Sequence, residues 1–85
     1  MEDFTHQEAR EKLGRRVAVL QDGAFFREDL KKGLTGTVSA IATSPYICSE
    51  RPLEVWVVYV EFDDPVIPRI ADIHKHEYMN ELKEL

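Results

Sequence analysis

Residues 55–62, VWVVYVEF, constrain this chain more than any other stretch. Alternation along a strand sends Val55, Val57 and Tyr59 to one face and Trp56, Val58, Val60 and Phe62 to the other. Both faces are apolar. Such a strand has to be packed on one side and covered on the other by a helix or a partner. The remaining 77 of the 85 residues, in a single domain, supply that cover alone or with a partner subunit. A chain of this length buries only about 60% of its unfolded surface, so the core is thin.

The segments around the strand are short and punctuated. Thr5 and Glu8 have capping-box spacing, with Phe4 placed as a hydrophobic staple, and Ala9 and Leu13 follow at helical intervals. Gly14 is suited to a left-handed helix end, which predicts a helix over about 5–13. RRVAVLQ reads as a strand with Val17 and Val19 on one face. Asp22-Gly23 signals a turn, and AFFREDL reads as a long loop over one mouth of the domain. In KKGLTGTV, Gly33 suits a positive φ and Gly36 a close backbone approach or a bulge. TVSAIA continues as a strand. The stretch 43–54, with two prolines and two serines, reads as a loop. Asp63-Asp64-Pro65 turns the chain, and VIPRIADI is a short extended segment whose Pro68 marks an edge. Tyr78, Leu82 and Leu85 at i, i+4 and i+7 predict a closing helix over about 75–84.

Composition narrows the class. The lone Cys48 makes no internal disulfide, and no apolar run is as long as a membrane span. The opening MEDFTHQEAR has neither the basic flank nor the apolar stretch of a signal peptide, so a cytoplasmic protein that does not bind membranes is expected. The net charge is −5 and uneven: residues 1–36 are balanced, while 37–85 hold four Lys/Arg against nine Asp/Glu. An acidic half disfavours a phosphate-backbone partner.

The order GRRVAVL, KKGLTGTV, VYVEFDD, HKHEYMNEL resembles the small bacterial SH3-like barrel proteins. The similarity rests on Lys32-Gly33-Leu34-Thr35-Gly36-Thr37-Val38, Val60-Glu61-Phe62-Asp63 and Lys75-His76-Glu77-Tyr78, and covers roughly residues 14–82. It implies a mainly β fold: an SH3-like barrel over about 15–73 with a short helix at each end, and no particular reaction. The capped N-terminal helix and the proline-bearing stretch at 43–54 depart from a bare barrel.

Candidate chemistry is sparse. KKGLTGT lacks the P-loop order, since its lysines precede the glycines and a strand follows. Asp72, His74 and His76 would share a face if extended, a metal-like spacing, but no cysteine pair joins them and His74 also suits a helix cap, so no metal is assigned. Cys48 has no orienting partner legible in the sequence. Asp63-Asp64 reads as a turn rather than an acid/base pair, so neither an enzyme nor a cofactor is expected. Arg15, Arg16, Arg27, Lys31 and Lys32, beside Phe25 and Phe26, form the one basic patch that nucleic acid could use. The stronger feature is an aromatic and apolar supply large for so small a core: Phe25, Phe26, Tyr46, Ile47 and Trp56. Lying on or beside the loops at 22–32 and 43–54, these residues suit a groove for a protein or peptide partner, or self-association. The expectation is a non-enzymatic interaction module, an accessory subunit or adaptor; the alternative is a nucleic-acid or ribonucleoprotein accessory barrel.

Overall fold

The computed structural model describes residues 3–48 and 51–85, with side-chain detail for 3–43 and 55–85. The elements are α1 (His6–Lys12), β1 (Arg16–Val19), a 3₁₀ turn (Ala24–Phe26), β2 (Thr35–Cys48), β3 (Arg51–Phe62), β4 (Ile70–Ile73), α2 (Lys75–Glu81) and β5 (Leu82–Glu84). The strands form one antiparallel sheet in the order β4-β3-β2-β1-β5. It is a meander whose last strand returns beside the first, and it does not close into a barrel. Among the described residues no helix is long and apolar enough to cross a membrane.

The first helix forms where its cap dictates. The Thr5 hydroxyl accepts from the Glu8 amide (3.1 Å), and the Thr5 amide donates to the Glu8 carboxylate (3.0 Å). Phe4 and Ala9, the staple positions, both enter the core. Phe4 meets the Tyr78 ring edge-on at 5.7 Å, so one residue joins α1 to α2. Gly14 takes φ +82° and its amide donates to the Val38 carbonyl (2.9 Å).

Val58, Val60 and Phe62 of β3 pack with Val17, Val19, Leu30, Val38, Ile70, Ile73, Tyr78 and Leu82 in a single cluster, with Trp56 at its margin. Val55 and Val57, which alternate with them, are buried too, and Tyr59 lies half-buried with the Arg69 guanidinium 5.6 Å from its ring. Cover on both faces answers the demand set by the sequence of this strand.

Two expected boundaries are corrected. The stretch read as a loop over 43–54 is strand apart from its undescribed turn: β2 runs on to Cys48 and β3 begins at Arg51. Its prolines fit because of where the pairing puts them. Pro45 lies opposite Glu54, and Pro52 opposite Ile47. These pairs are two registers apart and so are of the same class, and a class whose amides face outward loses no ladder bond to proline. Beyond Trp56 the described residues put only two strands in the ribbon, so both of its edges can carry proline. The second correction is the closing helix, which stops at Glu81. Leu82, Lys83 and Glu84 pair with Val19, Ala18 and Val17. Tyr78 and Leu82 are buried as the helical spacing required, but Leu85 is exposed. The uncovered edge of β1 takes these residues because it offers hydrogen-bond partners that a helix end does not.

Both glycine expectations hold. Gly33 has φ +89°. At Gly36, a Cβ would lie 2.8 Å from the Glu61 carbonyl oxygen and 3.0 Å from Val60 Cγ1. The bulge falls further on, between Val38 and Ala40, with Ser39 the extra residue. Gly36→Ala should therefore push β2 from β3 and cost about 1–3 kcal/mol. Thermal unfolding checks this: an unchanged midpoint would show that the β2–β3 contact yields freely.

Candidate functional site

The loop between β1 and β2 is tied down along its length. The Asp22 carboxylate accepts from the Lys32 amide (2.8 Å), and the Gly23 amide donates to the Leu30 carbonyl (2.8 Å). The Gly33 amide donates to the Val19 carbonyl (2.9 Å), and the Val19 amide to the Leu34 carbonyl (2.8 Å). Ala24 and Leu30 plug the core from above. The Arg27 guanidinium makes two hydrogen bonds to Asp29 and reaches the Pro68 carbonyl at 3.3 Å, joining this loop to the turn between β3 and β4.

Within this frame, Phe25 and Phe26 have φ +55° and +58°. For bulky residues this is a strained conformation, costing about 1–2 kcal/mol each. Phe25 is half-buried against the core, whereas Phe26 is 105% exposed. Leaving a phenylalanine in water forgoes about 1.5–3 kcal/mol. Val66, on the turn that Arg27 reaches, is 84% exposed. Ile67, beside it, packs on the core, and the Val66 amide donates to the Asp64 carboxylate (3.0 Å). The two most exposed large apolar side chains among the described residues thus sit on two loops joined by one arginine.

The other aromatic candidates lie elsewhere. Trp56 belongs to the neighbourhood of α1: its backbone bridges Phe4, and the His6 ring stacks on it at 4.3 Å and 28°. Beside this stack an open depression of about 500 Å³ runs along α1, lined among the described residues by His6, Gln7, Arg10 and Glu11. Tyr46 and Ile47 lie in β2, their side chains outside the described detail, as is that of Cys48.

The basic candidates are divided. Arg16 makes a two-pronged pair with Asp63 (2.7 and 2.6 Å) and also donates to Thr37 (2.8 Å). Arg27 is held by Asp29. Arg15, Lys31 and Lys32 have no carboxylate within ion-pair distance among the described residues. Asp72 and His76 do not share an extended face with His74. Asp72 sits in a bulge of β4 with φ +55°, and His74 is the cap of α2, its amide donating to Glu77 (3.1 Å) and its Nδ1 3.2 Å from Asp3. His76 is already in the helix, its ring centred 6.0 Å from that of His74. Among the described residues no three His, Cys, Asp or Glu side chains gather where a metal could sit.

One cluster has no sequence signal. The Tyr78 hydroxyl donates to Glu84 (2.8 Å), which also accepts from Lys12 (2.8 Å), and the Lys12 ammonium lies 5.2 Å from the Tyr78 ring centroid. Burial pushes the Tyr78 hydroxyl up, reinforced by the Glu84 hydrogen bond. Lys12, then Tyr78, hold the Glu84 carboxyl below its ordinary range. Residues 12, 78 and 84 meet only because β5 turns back.

Compared with known proteins, the chain matches no family model, no curated protein and no solved structure.

The Arg16–Asp63 pair has a direct consequence in acid. Arg16, then Thr35, hold the Asp63 carboxyl far below the usual carboxylate range. A lowered folded value means that the stabilisation is fully present above about pH 4, the ordinary aspartate range, and is lost as pH falls below it. Thermal midpoints of the wild type and Asp63→Asn, measured from pH 5 to pH 2, should draw closer toward the acid end without meeting there. Parallel curves would mean that the fold does not favour the ionised carboxylate.

Proposed function

We propose that the chain is a non-enzymatic protein–protein interaction module, an accessory subunit or adaptor that docks through the loop carrying Phe26. The observation that carries this reading is the pairing of exposure with strain. A phenylalanine fully in water, on two consecutive left-handed residues, is costly twice over, and the surrounding hydrogen bonds keep it there. Strained residues of this kind cluster at binding and switch sites. An exposed aromatic on a hydrogen-bonded backbone also suits an interface anchor, because less backbone entropy is left to lose on binding. Val66 would supply the neighbouring apolar contact.

The sheet order supports an SH3-like kinship: a meander, a long first loop, the Gly33/Gly36 step, and a last strand beside the first. The single cysteine suits a cytoplasmic setting. The nucleic-acid reading is weaker, since Arg16 and Arg27, two of its five cations, are held by carboxylates.

The test is a pull-down of tagged protein from its own cells, comparing wild type with Phe26→Asn. Asparagine tolerates the left-handed region, so the thermal midpoint of the variant should hold or rise. A protein partner that survives nuclease should be retained by the wild type and fall at least tenfold with the variant. Equal capture by both, or recovery that depends on nucleic acid, would sink the reading.

A further inference from the structure

Residues 82–84 carry a conflict between local preference and observed structure. Glu81-Leu82-Lys83-Glu84-Leu85 are all strong helix formers, and Glu and Lys are poor in strands. The apolar spacing Tyr78, Leu82, Leu85 continues the α2 stripe. Yet Glu81 is the last helical residue and Leu82 the first of β5, with nothing between them. One bond of the continuing helix is already made, the Leu82 amide donating to the Tyr78 carbonyl. One other is broken, and both of its groups are redirected. The Leu85 amide donates to the Arg16 carbonyl (2.9 Å), and the Glu81 carbonyl accepts from Leu20 (3.0 Å). In a helix run on to residue 85, the Leu85 amide would donate to the Glu81 carbonyl instead.

β5 is held down by its three-residue ladder on β1 and by two of its side chains. Leu82 is buried, Glu84 occupies the subsite made by Lys12 and the Tyr78 hydroxyl, and Lys83 and Leu85 face water.

From these observations we infer that residues 82–84 form a strand-to-helix switch. In the docked state they cover β1; in the released state they extend α2 and uncover the β1 edge together with the Lys12/Tyr78 subsite. The uncovered edge takes an extended segment of a second protein with the chemistry of the segment it replaces: an apolar side chain in the place of Leu82 and a carboxylate two residues further on. Backbone bonds along β1 supply part of the affinity, as in strand addition. Lys12 and Tyr78 read the carboxylate. Whichever segment covers β1 buries the Tyr78 hydroxyl again and must offer it an acceptor, which selects against a segment without one. This surface uses residues other than Phe26 and stands independently of the docking proposed above.

Lys83 gives a clean handle, because it is exposed and opposite Ala18. Lys83→Ala favours the helix and Lys83→Val the strand, without touching the core. The probe is an acetylated peptide of sequence ELKEL, titrated against each full-length protein. Binding is read from the resonances of the isotope-labelled peptide itself, which shift and broaden when it docks. Apparent affinity is scaled by the fraction of molecules with the edge open. It should rank Lys83→Ala above wild type above Lys83→Val, with the two variants roughly tenfold apart. The peptide ELKQL should bind more weakly to all three. Equal affinities across the series, or no perturbation in any of them, overturns the switch.

Discussion

The pairing of β2 with β3 is the constraint on which the rest of the molecule depends. It is the longest ladder in the sheet, from Gly36 opposite Phe62 to Cys48 opposite Arg51. At one end it demands a glycine, because the strands approach too closely for a side chain at residue 36. Three residues further along β2 it bulges at Ser39, and that bulge sharpens the local twist. On β3 it fixes which side chains enter the core, and the core then recruits everything else. Val58 and Val60 sit among residues from β1, the first loop, β4 and both helices.

Around that spine, polar groups do the joining. Arg16 ties β1 to the β3–β4 turn through Asp63, and Arg27 ties the first loop to the same turn through Pro68. Lys75 joins α2 to α1 through Glu8 (2.7 Å). These contacts are exposed or only part-buried, and each contributes little to stability alone. Their effect is positional. They hold loops that carry few buried residues, and one of those loops presents Phe26. The fold therefore couples a rigid frame to an uncovered aromatic, whereas a loosely held loop would turn that aromatic inward.

Much of the fold was legible because its causes are local. Thr5 with Glu8 announced α1, and the alternation of VWVVYVEF announced a strand covered on both faces. Gly33 and Gly36 announced a turn and a close approach. What failed to read were the places where a distant strand overrides a local preference. Pro45 and Pro52 looked like loop markers, because one segment does not reveal that its partner leaves their amides outward. Residues 82–84 looked helical, because nothing in them refers to β1. Of the candidate site, the aromatic richness of the first loop was visible, but not which phenylalanine would be exposed. That choice follows from Ala24 and Leu30 filling the core and from two left-handed residues turning Phe26 away.

The sequence by itself determined the class of the molecule and the inventory of its parts: one small mainly β domain, a capped helix at its start, a doubly apolar strand and no cysteine framework. Those features depend on the composition and periodicity of neighbouring residues, and are written within a few positions of one another. The tertiary structure alone decided that the sheet stays open, that β5 closes over β1, and that Lys12, Tyr78 and Glu84 meet. It also decided that Arg16 is spent on Asp63. Each of these brings together groups far apart along the chain, and such pairings are settled by which edge and which core vacancy remain once the local elements have formed.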